Sequence, residues 1–333
     1  MNDKKIVIIG SGALGTAFSN ILFDSKHENI IVYGIDEQEL SELKVGKNTR
    51  YFSEDFAIHK VPTTNNLKEA LDGASYVVLA LPSPIIPKVI EQIKENLNSK
   101  VLIISGSKGF YHGTDDPLHK GIEDNTKNNS NVRGVVSILG PSYAEQMVLK
   151  SLTIVASVSS SLELCEEVQT LFSNHYFKIY TQTDVIGSEA GGIYKNILAI
   201  ASGMLTEYGF KINTTAAFIT RGVHELSVFN KYLGGQPETI MGLTGLGDLI
   251  LTSMSDLSRN YTFGRSFVKD KEKALASSIT LEGINAIKIV EKIRIKEKLD
   301  LPIVESLYQI IFENLDLENS IYSLWDRATK SEN

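Results

Sequence analysis

Short apolar runs rich in β-branched residues punctuate the first half of the chain: Ile6–Ile9, Ile30–Tyr33, Tyr76–Leu81, Val101–Ser105, Val135–Leu139 and Leu152–Ala156. Each is bounded by Gly, Pro, Ser or Asn. They are too uniformly apolar for strands with one wet face, and read as parallel strands covered on both sides. Helical periods lie between several of them, as in Leu14–Phe23 and Ile85–Leu97. This alternation predicts an α/β fold with a doubly wound sheet. The polar segment Glu123–Arg133 reads as a surface loop or helix end. After about Thr183 strand-like runs give way to long helical patterns. We therefore expect two domains, 1–182 and an all-helical 183–333, with no internal repeat.

Gly10-Ser11-Gly12-Ala13-Leu14-Gly15 follows the first run and opens a helix. Gly10 permits a tight turn, Gly12 lets backbone approach a pyrophosphate, and Gly15 lets helix and strand pack closely. The helix start then offers N–H groups and a positive dipole end. The first domain is thus expected to be a Rossmann-type dinucleotide-binding unit. The acidic residue usual at the end of the second strand is replaced by Gly34, with Ile35 and Asp36 following. Asp36 can serve as a ribose 2′-hydroxyl ligand or as an N-cap for Glu37–Leu43, and both readings stand. No arginine follows this strand directly.

Further chemistry clusters where strands end. Ser105-Gly106-Ser107-Lys108-Gly109 makes Lys108 a candidate substrate ligand, the alternative being a solvated loop lysine. Gly140-Pro141-Ser142-Tyr143-Ala144-Glu145 could lend backbone N–H groups and a hydroxyl. In Ser188–Met204 one face is an apolar stripe of Ile193, Ile197, Ile200 and Met204. Another face, Ser188, Gly191 or Gly192, Lys195, Ala199 and Ser202, is a strip of small residues that allows close approach of another chain or a ligand. Lys195 is the only charge between Glu189 and Glu207, which predicts a buried central helix. A buried lysine has a lowered pKa and suits acid–base work; a structural ion pair is the alternative. Downstream, Asp248 and Thr252 share one face if Asp248 starts a helix; Asp248 can orient or pair such a lysine, the alternative being a charge that satisfies the helix dipole. Ser258-Arg259-Asn260 offers a cap, a guanidinium and free N–H groups, the makings of a phosphate site.

Composition narrows the class. The 333 residues are 42% apolar and 22% charged, with a net charge of −7, which fits a folded chain and argues against a nucleic-acid surface. Cys165 is alone, so no intrachain disulfide or cysteine-built zinc site can form, and the histidines show no metal spacing. No apolar run nears the roughly 18 residues of a membrane span, and the strand at Ile6 leaves no room for a signal peptide, so a cytoplasmic location is expected.

Taken in order along nearly the whole chain, these segments resemble bacterial NAD(P)-dependent glycerol-3-phosphate dehydrogenases. Gly10–Ala17, Ser107-Lys108-Gly109, Gly140–Ala144, Gly191–Ala199, Gly242–Thr252, Ser258–Asn260 and Leu281-Glu282-Gly283 match the family's signatures. The resemblance implies reversible hydride transfer between NAD(P)H and dihydroxyacetone phosphate, giving sn-glycerol 3-phosphate for phospholipid synthesis. It implies that Lys195 is the proton donor and acceptor, with Lys108 and Asp248 around the reacting carbonyl and Thr252 beside them. By the same likeness, Lys108, Gly140, Ser142, Ser258, Arg259 and Asn260 fall on substrate positions. Ala13, Leu14, Ile35, Lys108, Ala144, Arg259, Thr280 and Glu282 fall on cofactor positions. The second half becomes a substrate-binding domain, and a homodimer is a candidate assembly. Three departures stand out: Ser253 replaces a common cysteine, Glu145-Gln146-Met147 is unusual, and Gly34-Ile35-Asp36 lacks an arginine many members carry. NAD or NADP is implied, with NADH expected to be used at least comparably to NADPH. Two alternatives are a β-hydroxyacid dehydrogenase of the same plan and a non-catalytic dinucleotide-binding regulator.

Overall fold

Four consecutive apolar residues, Ile6 to Ile9, are each at most 1% exposed. Successive strand side chains point to opposite faces, so such a run must be covered twice. It is: Ile6 and Ile8 join one apolar core, and Val7 and Ile9 join a second. The same division holds at Tyr76 and Val78 against Val77 and Leu79, and at Leu102 and Ile104 against Val101 and Ile103. The computed structural model describes residues 4–276 and 281–326. Within them β1 (Lys5–Ile9), β2 (Ile30–Tyr33), β3 (Thr63–Thr64), β4 (Ala74–Leu79), β5 (Val101–Ser105), β6 (Val132–Leu139), β7 (Thr153–Val158) and β8 (Phe177–Gln182) make one sheet. Its order is β3-β2-β1-β4-β5-β6-β7-β8.

Chain order reverses between β1 and β4, so a ligand crevice is expected beyond their C-terminal ends. The covering helices are α1 (Ala13–Asp24), α2 (Glu37–Lys44), α3 (Leu67–Leu71), α4 (Ile86–Asn96), α5 (Leu118–Thr126), α6 (Ala144–Val148) and α7 (Leu162–Phe172). All strand pairs are parallel except β6 with β7. That exception has no signature in the apolar pattern, because burial on both faces looks the same whichever way a strand runs.

After β8 the described chain is helical: α8 (Val185–Tyr208), α9 (Ile212–Leu233), α10 (Pro237–Ile240), a π-turn at Leu243–Gly247, α11 (Asp248–Ser253), α12 (Arg259–Lys269), α13 (Lys271–Ala276), α14 (Glu282–Glu297), α15 (Pro302–Phe312) and α16 (Leu317–Trp325). Every residue of α8 from Gly187 to Leu205 is buried. Asp184 caps its start by accepting from the Gly187 N–H, and Gly209, at φ +100°, ends it in the left-handed region. At Gly191 the small-residue strip is met by this chain's own backbone, since a Cβ there would lie 2.3 Å from the Thr244 carbonyl oxygen; elsewhere on α8, a Cβ on Gly203 would lie 2.0 Å from the Tyr261 carbonyl oxygen of α12.

Two strands escape the apolar pattern. β3 has only two residues, and β8, Phe177-Lys178-Ile179-Tyr180, alternates buried and exposed positions at the sheet edge. β8 is not among the six apolar runs, and an edge position leaves one of its faces wet. Of those runs, Leu152–Ala156 departs from the expectation of cover on both faces, since Leu152 is 87% and Ile154 41% exposed beside that edge.

Candidate active site

The crevice begins at the turn after β1. Gly10 has φ +118°, and a Cβ there would lie 2.4 Å from the Ala80 carbonyl oxygen. A Cβ on Gly15 would lie 1.9 Å from the Gly10 carbonyl oxygen, so only glycine closes this turn. Gly12, by contrast, faces nothing nearer than the Tyr51 hydroxyl, at 3.5 Å. No side chain caps the N-terminus of α1, which leaves its first N–H groups for an anion. An open Gly12 beside uncapped N–H groups fits a dinucleotide pyrophosphate. Ala13 and Leu14, half-buried, form the first turn of α1.

The Ser11 hydroxyl turns away from this opening and donates to Glu39 Oε2 at 2.5 Å. Ile35, just past β2, is 87% exposed. Asp36 caps α2 by accepting from the Gln38 and Glu39 N–H groups, and its other oxygen accepts from Arg50 Nη1 at 2.8 Å. Glu39 accepts from the same Arg50 nitrogen, at 2.8 Å, and from the Tyr51 hydroxyl. The β2 end thus does carry an arginine, brought back by the segment after α2. Glu39, Arg50 and Tyr51 escape a motif search because their partners lie 11 to 14 residues away for Arg50 and 28 for Ser11.

A second group meets where both halves of the chain come together. Lys108, beyond β5, donates to Asp248 Oδ2 at 2.7 Å and to the Gly140 carbonyl at 3.0 Å. Lys195, from the middle of α8, donates to Asp248 Oδ1 at 2.8 Å and to the Thr252 hydroxyl at 3.2 Å. One carboxylate, 2% exposed in its side chain, therefore bridges two lysines. Asp248 and Thr252 reach the same lysine because they lie one turn apart on α11. Burial, helped by the Lys108 charge, outweighs the upward pull of Asp248 and Glu282 and leaves the Lys195 pKa lowered to about 8. Burial alone would raise the Asp248 pKa, but the two ammonium groups hold it below its usual value. The three groups carry a net single positive charge in a nearly dry site, suited to stabilising negative charge on a neighbouring oxygen.

Around this centre, Gly140 turns at φ +140° and the Ser142 hydroxyl donates back to its carbonyl at 3.3 Å. Ala144 opens α6. Ser258 caps α12, accepting from the Tyr261 N–H. Asn260 donates to Asn196 Oδ1 at 2.9 Å and accepts from the Gly283 N–H. Asn196, next to Lys195 on α8, donates to Glu282 Oε2 at 3.5 Å. It ties α8, α12 and α14 together and is not singled out by the sequence reading, although it sits inside the matched segment. The Glu282 pKa is raised by burial, against the pull of Arg259, Lys195 and Lys108. Arg259 is exposed and makes no hydrogen bond or ion pair with any described residue. Thr280 lies outside the described residues. The structure thus gathers Lys108, Gly140, Lys195, Asp248 and Thr252 at one point, with Asn260 and Glu282 joined to them through Asn196. Gly10–Gly15, Ile35 and Asp36 lie apart, along β1 and β2.

Comparison with known proteins follows the same division. Residues 5–165 match the family model described as NAD-dependent glycerol-3-phosphate dehydrogenase N-terminus, and residues 184–322 match its C-terminus. The glycerol-3-phosphate dehydrogenase (NAD(P)+) of Mycoplasma mobile is 49% identical over 99% of this chain and 98% of its own. The protein of the same name from Lactococcus lactis is 34% identical over 100% of this chain and 98% of its own. Among solved structures, the glycerol-3-phosphate dehydrogenase of Coxiella burnetii superposes with a TM-score of 0.88 at 29% identity, covering 98% of this chain and 100% of that one.

Proposed function

This chain belongs to the NAD-dependent glycerol-3-phosphate dehydrogenase family, and from that premise we propose that Lys195, Lys108 and Asp248 form the acid–base centre of its reaction. The chain is an NAD(P)-dependent oxidoreductase interconverting dihydroxyacetone phosphate and sn-glycerol 3-phosphate, the latter a building block for glycerophospholipids. Bound NAD(P)H supplies the hydride that adds to the carbonyl carbon C2 of dihydroxyacetone phosphate. The Lys195 ammonium gives its proton to the oxygen that gains charge as the carbonyl is reduced, and takes it back in the reverse direction. Asp248 holds Lys195 in place together with Thr252, and Lys108 adds a second positive charge beside the same oxygen. The start of α12 takes the phosphate, through Ser258, the Asn260 region and the exposed guanidinium of Arg259. Gly140 and Ser142 line the same side. Gly10, Ser11 (by its backbone), Gly12, Ala13, Leu14 and Gly15 take the pyrophosphate, with Ile35, Asp36, Ala144 and Glu282 along the rest of the dinucleotide.

The observation that carries this reading is the bridge of two lysines by one buried carboxylate, one lysine from each half of the chain. The domain boundary is placed near residue 182, between β8 and α8. The reading extends to a cytoplasmic enzyme, in keeping with a lone buried cysteine, and to a homodimer. For the latter, Leu152, Ile154 and Tyr180 are exposed on and beside the outer strands, a surface a second copy could cover; light scattering tests it. No helix among the described residues is long and apolar enough to cross a membrane. Steady-state oxidation of NADH and NADPH is the test of function. Turnover with dihydroxyacetone phosphate and not with β-keto acids supports it, and turnover only with the latter overturns it.

A further inference from the structure

The end of β2 and the glycine turn are in direct contact. A Cβ on Gly34 would lie 2.6 Å from Ser11 Oγ, and Ser11 donates to Glu39 three residues beyond Asp36. From the other side, Tyr51 lies over Gly12. Arg50, its neighbour, reaches Asp36 and Glu39. In a doubly wound fold this corner receives the adenosine ribose. What it presents is a carboxylate and a guanidinium in contact, with Arg50 58% and Asp36 33% exposed in their side chains. Both bonds of Arg50 leave from Nη1, and among the described residues Nη2 and Nε donate to none.

Resting on the dehydrogenase reading, we propose that Arg50 is the residue by which this chain accepts a 2′-phosphate, and that Asp36 is its counterweight. A ribose 2′-hydroxyl can donate to Asp36 without disturbing the pair. A 2′-phosphate is accepted by the guanidinium, whose planar fork suits phosphate oxygens. It must do so beside two carboxylates that share the single positive charge, so its affinity is held down by repulsion. The site is dual: Asp36 favours NAD, Arg50 admits NADP, and neither substitutes for the other.

Titration of NADH and NADPH fluorescence with the full-length protein reads this without turnover, and competition by 2′,5′-ADP against 5′-AMP isolates the adenosine end. Arg50→Ala should lower the ratio of NADPH to NADH affinity at least tenfold, and lower that of 2′,5′-ADP to 5′-AMP to match. Asp36→Asn keeps the α2 cap, since Asn also caps, and should raise both ratios several fold. Circular dichroism of each variant confirms folding. A parent that binds both dinucleotides, with both ratios unmoved within twofold in folded variants, overturns this proposal alone. A parent that binds neither overturns the dehydrogenase reading and this proposal with it.

Discussion

Lys195 is the residue on which burial and chemistry act most visibly together. Its folded pKa near 8 lies below the roughly 10.4 of an exposed lysine. Between those values the unfolded chain binds a proton that the folded protein has released, so this group makes stability rise with pH from about 8 to 10. Lys195→Met should lack that rise. It should also be no less stable than the parent at pH 7, because Asp248 keeps Lys108 at 2.7 Å; thermal melts across pH check both. Arg259 stands at the opposite extreme, exposed and without a hydrogen bond or ion pair to any described residue. Arg259→Ala should cost about 2–4 kcal/mol in kcat/KM for dihydroxyacetone phosphate, with a smaller loss for unphosphorylated dihydroxyacetone, in parallel assays of the two ketones. Ser253 carries a different liability. Its hydroxyl is fully buried and makes no hydrogen bond with any described residue. A buried hydroxyl without a partner costs roughly 1–3 kcal/mol, so Ser253→Ala should raise stability by about 1 kcal/mol in urea denaturation.

Among the elements, α8 and α12 bear most on the site, since one carries Lys195 and the other starts at Ser258-Arg259-Asn260. Their backbones meet where a Cβ on Gly203 would lie 2.0 Å from the Tyr261 carbonyl oxygen. Gly203→Ala must push the helices apart. We expect a loss of about 1–3 kcal/mol in stability and a raised KM for dihydroxyacetone phosphate, read by denaturation and steady-state kinetics. These elements also show what a sequence can and cannot carry. The glycine turn after β1 is legible because its chemistry is local, a strand, six residues and a helix. The burial of α8 is legible because a long segment with one charge has nowhere else to go. The bridge itself is not local. Asp248 lies 53 residues from Lys195 and 140 from Lys108, and only packing of one half of the chain on the other joins them. Arg50 escapes for the same reason, returning to Asp36 by way of α2. β8 is hidden by its edge position, and the direction of β7 by a pattern that is blind to direction.

For the molecule as a whole, the sheet half presents a glycine turn and Lys108 at the C-terminal ends of its strands, and the helical half closes on them with Lys195, Asp248 and the start of α12. Neither half holds the two-lysine bridge, and so the proposed acid–base centre, by itself. With Lys195 as the proposed proton donor, kcat/KM for dihydroxyacetone phosphate should fall as pH rises through about 8, while oxidation of glycerol 3-phosphate should rise over the same interval. The decisive experiment is the pH profile of reduction in the parent and in Lys195→Met, at saturating NADH. The parent should show the ionisation near 8; the variant should bind NADH, lose about 10²–10⁴ in rate, and show no such ionisation. A folded Lys195→Met protein that binds NADH, turns over within a few fold of the parent and keeps the same profile would contradict the assignment of Lys195 as proton donor, and Lys108 would take its place.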